Sequence, residues 1–259
     1  MHVGGPVLAA ARPPSALAVE RCAFFLDLDG TLVKFATRPD AISVDAELRE
    51  LLETLRVHSG GALALVSGRS IATLDSLFAP LKLPAAGLHG FERRNAAGVL
   101  SVRPPPDRRM LDDARRQMEQ WVRRHPRLML EDKGAALALH YRRVPKLESR
   151  VVNAMIAIGA RVRGSGLAVQ RGHMVVELTP SGVSKASAVA AFMDEAPFMG
   201  RRPLFAGDDL TDEPAFEWVN GAGGVSVAVN PARPTAARTR LESVDEVRAW
   251  LRALIEGRE

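Results

Sequence analysis

One cysteine, Cys22, stands in 259 residues. No disulfide can form within the chain, and a buried, inert thiol is the expectation. No apolar run approaches the roughly 18 residues of a membrane helix. Residues 1–20 have neither a basic start nor a long apolar stretch. That excludes the pattern of a secretory signal and leaves a loose tail in a cytoplasmic protein as the expectation. Aromatic residues are scarce, at 5%. No second His or Cys stands at metal-ligand spacing from His89, His140 or His173. These three are therefore expected to hydrogen-bond structurally or to sit at turns.

What is present is enough chain for one large domain or two small ones, with a sizeable core. The net charge is +5, and most of the excess is local. Residues 104–178 carry 15 Lys and Arg against 8 Asp and Glu. A basic middle segment attracts anions, whether nucleic acid, a membrane or a small phosphorylated substrate.

The most informative stretch is Phe24-Phe25-Leu26-Asp27-Leu28-Asp29-Gly30-Thr31-Leu32. The apolar run from Cys22 predicts a strand buried on both faces. It stops on two carboxylates one residue apart, and side chains two apart on a strand point the same way. Open α/β sheets place their ligand sites at the carboxyl ends of their strands. Two carboxylates so close need either a shared proton or a cation between them.

Strand, helix, strand, helix, strand follow over residues 22–88, the first helix capped near Ser43 or Asp45 and ended by Gly60-Gly61, the second at about 71–78. This is the rhythm of a parallel sheet with helices on both faces. It breaks after a hairpin at 91–102, turning at 95–98, and a stiff Pro104-Pro105-Pro106. Residues 105–178 read as a small α+β insert. Two helices (107–124 and 147–162) accompany two strand pairs (127–130 with 135–141, 167–170 with 174–178). Pro104–Pro106 and Thr179–Gly182 are the expected hinges. The α/β rhythm then resumes with a helix at 184–193, strands at 203–206 and 224–229, and a last helix at 244–255. The expected division is a tail at 1–20, a core at 21–104 and 179–259, and an insert at 105–178.

Four polar clusters follow four of these elements, each with something phosphoryl transfer needs. Asp27 can attack phosphorus. Asp29 can protonate the leaving oxygen and then activate water. Ser67, with Gly68 and the amides at the next helix start, can hold phosphate oxygens. Lys185 can neutralise phosphate charge. Asp208, Asp209 and Asp212 add carboxylates that, with Asp27, make an oxygen-rich site of the kind Mg²⁺ prefers. Each cluster alone is compatible with a helix cap or an exposed first turn; their shared position at strand-to-helix junctions favours chemistry.

Asp27-Leu-Asp29-Gly-Thr31, Ser67-Gly-Arg69, Lys185 and Gly207-Asp208-Asp209-x-x-Asp212 resemble, in order, the four motifs of the haloacid dehalogenase-like hydrolases. The likeness covers residues 21–103 and 179–240. It implies a HAD-like (Rossmannoid) α/β core with a C2-type α+β cap, and a Mg²⁺ ion held by Asp27, Asp208 and the Asp29 backbone carbonyl. Within that class, three runs resemble the trehalose-6-phosphate phosphatase family: 87–94, 131–142 and 173–185. That likeness implies that Glu131, Lys133 and Glu177 hold sugar hydroxyls and that Arg94 lies near the phosphate. Lys185-Ala186 departs from the family's more usual Lys-Gly while keeping the lysine. Glu131 and Lys133, two apart on a strand pattern, are expected on one face.

The expectation is a monomeric phosphosugar phosphatase with no nucleic-acid or membrane partner. Two alternatives stand beside it. One is another sugar-phosphate phosphatase of the same fold, acting on a sucrose or mannosylglycerate phosphate, or a phosphomannomutase-like enzyme. The other is a non-catalytic nucleic-acid-binding protein using the basic insert, which lacks interleaved aromatics.

Overall fold

A computed structural model describes residues 11–36, 41–231 and 233–257. The first half of the α/β rhythm runs β1 (Cys22–Leu26), α1 (Ala46–His58), β2 (Leu63–Val66), α2 (Ile71–Phe78) and β3 (Ala85–Gly87). A hairpin, β4 (Glu92–Arg94) and β5 (Leu100–Val102), comes next. The insert holds α3 (Arg108–Arg124), β6 (Met129–Asp132), β7 (Leu137–His140), α4 (Glu148–Arg161), β8 (Leu167–Gly172) and β9 (Val175–Pro180). The chain returns through α5 (Lys185–Met193), β10 (Arg202–Gly207), α6 (Glu213–Gly221), β11 (Val225–Val229), β12 (Thr239–Leu241) and α7 (Val244–Glu256).

Eight strands form one sheet in the order β12-β11-β10-β1-β2-β3-β4-β5. All pairings from β12 to β3 are parallel, and the β4–β5 hairpin adds an antiparallel edge. β1 lies at the centre, and its period-two alternation feeds two cores. Phe24 and Leu26 pack with leucines of α1, with Ile71, Leu74 and Phe78 of α2, and with Val247 and Leu251 of α7. Ala23 and Phe25 pack on the opposite face with Phe192 of α5 and Phe216 of α6. A third cluster joins α3 and α4 to the separate antiparallel sheet β6-β7-β9-β8.

Register carries the site. Phe24 pairs with Leu204 and Leu26 with Ala206, and the Asp27 amide then donates to the Ala206 carbonyl at 3.0 Å. The chain therefore leaves β1 and β10 side by side, with Asp27 next to the Gly207–Asp212 loop. The amide of Ser67 donates to Ala86, which brings the end of β2 level with the end of β3.

Three details depart from the sequence reading. Residues 11–18, expected within a loose tail, are tied down: the Arg240 amide donates to Ala11 and the Trp250 indole donates to Pro14 at 2.8 Å. Residues 1–10 lie outside the described residues, as does Pro39 in the stretch 33–42 between β1 and α1, which reads as a loop. The first two residues of the hinge expected at Thr179–Gly182 belong to β9, because Ala168 and Leu167 pair with Thr179 and Pro180. Strand β12 was not expected; three residues are too few to show an apolar period.

Phe25 sits in a cluster with Phe192 and Phe198, ring centroids 5.0–5.9 Å apart. Phe25→Ala should cost about 4 kcal/mol of unfolding free energy, measured by urea denaturation. The leucines on the other face of β1 cannot collapse into that space.

Candidate active site

The centre is built from the ends of β1, β2 and β10 and the start of α5. Lys185 opens α5 beneath a capping box made by Ser184 and Ser187. It is 2% exposed, and its ammonium reaches Asp27 Oδ1 at 2.9 Å and Asp212 Oδ1 at 2.6 Å. Asp212 spends its other oxygen on the backbone: Oδ2 accepts from the amides of Asp208, at 3.0 Å, and Asp209, at 2.9 Å. Asp212 thus shapes the loop and holds the lysine.

Asp27, Asp208 and Asp212 each offer a carboxylate oxygen, all within 4.8 Å of one another. Burial pushes Asp27 up to about 7, against the pull of Lys185. Burial also raises Asp208 well above the usual carboxylate range, with the charges of Asp27 and Asp212 adding to it. Asp208 Oδ1 is buried and finds no hydrogen-bond partner among the described residues. The Asp208 carboxylate fills the space above Gly30, where a Cβ would come within 2.4 Å of Oδ2; Gly30 also sits at φ +81°. No other residue fits there without moving the acid. An orphaned oxygen among mutually repelling buried carboxylates is the environment a cation relieves. These residues could hold a metal ion.

Asp29 faces the same pocket, and both its oxygens are taken by Arg69, Nε at 2.7 Å and Nη2 at 2.8 Å. Ser67 is buried, and its hydroxyl accepts from the Arg69 amide at 3.2 Å. The helix amides expected to face phosphate are otherwise employed: Thr73 is capped by Ser70 and Ile71 by Glu92.

The insert closes the pocket from the other side. Lys133 stands one residue past β6 and donates to the Gly68 carbonyl at 3.0 Å and to Glu177 Oε1 at 2.6 Å. Glu177 Oε2 meets His89 Nε2 at 2.7 Å. Glu131 Oε2 meets His140 Nε2 at 2.8 Å. Burial opposes the charge on Lys133, but Glu177 and Glu131 outweigh it and hold its pKa above the ordinary lysine value. Burial likewise opposes ionisation of Glu177, yet Lys133 and His89 hold it far below the usual carboxylate range. A second seam joins Asp209 Oδ2 to the His173 amide at 2.9 Å. Beside it, Phe35 stacks on His173 at 4.7 Å and carries Arg142 over its ring at 4.5 Å.

Asp27, Asp29, Ser67, Gly68, Glu131, Lys133, Glu177, Lys185, Asp208 and Asp209 all line one pocket. Asp212 lies just behind it, 0% exposed. Arg94 does not join them, which corrects the expectation that it lies near the phosphate. β4 runs antiparallel to β3, so Arg94 pairs with Ala85 at the far end of that strand. There its guanidinium grips Asp75 at 2.7 Å and the Leu83 carbonyl. The sequence assigned no role to Arg69, Arg142 or Phe35, and the three histidines were expected to hydrogen-bond structurally or to sit at turns. All of them line the pocket. The run 87–94 had held a signal for His89, but nothing local shows which way a histidine at a turn will face.

A central parallel sheet, a carboxylate pair after its first strand, a lysine at a later helix start and a further acidic loop, all roofed by an α+β insert, define a hydrolase of the haloacid dehalogenase-like class. The trehalose-phosphatase family model matches residues 25–245, and the chain belongs to that family. It is 43% identical over 231 residues to the trehalose-6-phosphate phosphatase of Escherichia coli K12, covering 88% of this chain and 85% of that one. The C-terminal domain of the Candida albicans trehalose-6-phosphate phosphatase shares the fold at a TM-score of 0.84, with 22% identity, over 96% of this chain and 99% of that one. A trehalose-6-phosphate phosphatase related protein matches at a TM-score of 0.70 and 29% identity, over 90% and 96%.

A carboxyl group whose pKa falls on folding contributes stability that is present above its unfolded value and lost as pH falls toward the folded one. For Glu177 the unfolded value is about 4.5 and the folded value lies far lower. Stability should therefore decline as pH drops below about 4.5. Glu177→Gln should flatten that decline, read by chemical denaturation at a series of pH values.

Proposed function

We propose that the protein is a Mg²⁺-dependent phosphatase that hydrolyses trehalose 6-phosphate to trehalose and phosphate through an aspartyl-phosphate. The observation that carries this reading is the meeting of two chemistries in one pocket. Asp27, Asp208 and Lys185 form a phosphoryl-transfer centre on one wall, and Glu131, Lys133 and Glu177 face it from the other. Carboxylates and an ammonium group in a partly dry cavity suit a ligand rich in hydroxyls. The name of the 43% identical Escherichia coli relative supports the choice of sugar.

In this reading residues 105–178 act as a cap, opening for substrate and closing over it. Asp27 and Asp208, with the Asp29 carbonyl, would hold the Mg²⁺ ion, while Asp212, its oxygens already engaged, orients the loop. The bound ion supplies charge neutralisation between the carboxylate and the phosphate. Asp27 attacks phosphorus in line, and the bond from phosphorus to the sugar oxygen breaks. The arriving phosphate competes for Arg69, which releases the Asp29 carboxylate to take up a proton from solvent and pass it to that oxygen. Lys185 and Ser67 stabilise the transferred group. Water then attacks the phosphorus of the aspartyl-phosphate, Asp29 takes its proton, and phosphate leaves Asp27 free.

Phosphate release across a panel of trehalose, sucrose, glucose, mannose and mannosylglycerate phosphates tests the substrate. Trehalose 6-phosphate should lead by about tenfold or more in kcat/KM, a margin of a few lost hydroxyl contacts. A rival sugar in first place would overturn the choice. Asp27→Asn should lower kcat by about 10³-fold or more, since the uncatalysed reaction is among the slowest known. Asp208→Asn should raise the Mg²⁺ concentration for half-maximal activity by about tenfold or more.

A further inference from the structure

We infer that His89 is a positioning residue that makes the grip on the sugar conditional on cap closure; this rests on the substrate reading above. Each sugar-facing carboxylate is paired with a histidine, but the two histidines belong to different parts of the molecule. His140 is on β7, beside Glu131's strand, in register opposite Met129. That pair travels with the cap and is set in advance. His89 comes from the core, on the turn after β3, and meets Glu177 only across the interface.

The turn that presents His89 is costly and rigid. Leu88 at φ +48° and His89 at φ +59° are consecutive non-glycine residues in the left-handed region. Such strain persists only where surrounding bonds over-determine it. Here the Leu88 amide donates to Arg69 at 2.9 Å and the His89 amide to Ser67 at 3.0 Å. The imidazole lies on Gly68, where a Cβ would fall 2.8 Å from its ring atoms. His89 and the segment 67–69 therefore move as one unit.

Closure completes a circuit. Gly68 accepts from Lys133, Lys133 donates to Glu177, Glu177 accepts from His89, and the His89 ring rests on Gly68. Facing an ionised carboxylate oxygen, Nε2 is the protonated nitrogen. Both Glu177 oxygens are thus aimed by donors, and their remaining lone pairs are left for hydroxyls. With the cap open, Glu177 keeps Lys133 and loses His89, so its carboxylate is free to swing. The sugar contact is correctly aimed only when the phosphate segment and the cap have met.

The test compares trehalose 6-phosphate with p-nitrophenyl phosphate, which has no sugar, in His89→Ala, His89→Gln, Glu177→Gln and the double variant His89→Ala/Glu177→Gln. His89→Ala should lower kcat/KM on trehalose 6-phosphate about thirty-fold, chiefly through KM, the scale of one hydrogen bond to a charged group. On p-nitrophenyl phosphate the fall should be about threefold or less, because no sugar contact is lost. Gln keeps an N–H donor at similar reach and should recover most of the loss. The double variant should lose little more than Glu177→Gln alone, as coupled neighbours do. Equal losses on both substrates, failure of Gln to rescue, or additive losses in the double variant would each overturn the inference. If unaltered protein prefers another sugar phosphate, the substrate reading fails instead, and that is seen before any variant is made.

Discussion

Everything at the centre depends on one ammonium group among carboxylates. Lys185 is buried and bonded to Asp27 and Asp212. A lone buried ammonium would be neutralised by desolvation, yet this one has its pKa held above the ordinary value by Asp212 and Asp27. The reverse also holds: without it, three carboxylates within 4.8 Å could not all stay ionised. One positive charge among three negative ones leaves a deficit, and Asp208, with its unpartnered oxygen, is where that deficit is felt. The backbone is arranged around the same balance. Gly30 and Gly207 stand where a Cβ would strike Asp208 and Asp212 respectively.

Much of this was legible in the sequence because burial writes plainly there. β1, β2 and β11 are short, wholly buried runs, β10 is buried after Arg202, and apart from that arginine and Ser226 their letters are apolar or small. The first residues after β1, β2 and β10, and the first residue of α5, all line the one pocket, so position in the chain already implied position in space. β12 was missed because three residues of mixed burial carry no period. Arg94 was misplaced because its location depends on strand direction, and an antiparallel return carries it away from the site. The histidines do hydrogen-bond or sit at turns as expected, but which groups they meet was not legible. Their roles come from partners 9 and 88 residues away in the chain, which no local pattern displays.

Two kinds of contact hold cap and core together, and they differ in physics. At the Glu177 end the groups are buried and ionic, so the medium gives them strength and also exacts a heavy loss if one partner is removed. At the other end Phe35, 39% exposed, lies between His173 and Arg142, and Arg142 donates to the Ala36 carbonyl at 2.6 Å. Burial and the neighbouring Arg142 charge lower the His173 pKa, so its ring stacks as a neutral aromatic near pH 7. The interface is therefore anchored by buried hydrogen bonds to charged groups on one side, Lys133 to the Gly68 carbonyl and His89 to Glu177, and by flat, screened surfaces on the other.

The acidic loop after β10 has a further property. Asp208 turns toward Asp27, while its immediate neighbour Asp209 turns outward, with one oxygen on its own loop at Leu210 and the other on the His173 amide. Adjacent residues on one short segment thus serve opposite directions, and Asp212 grips the amides of both. The acidic centre and the turn at 172–174 of the insert therefore share one support, two adjacent residues whose amides are held by a single carboxylate.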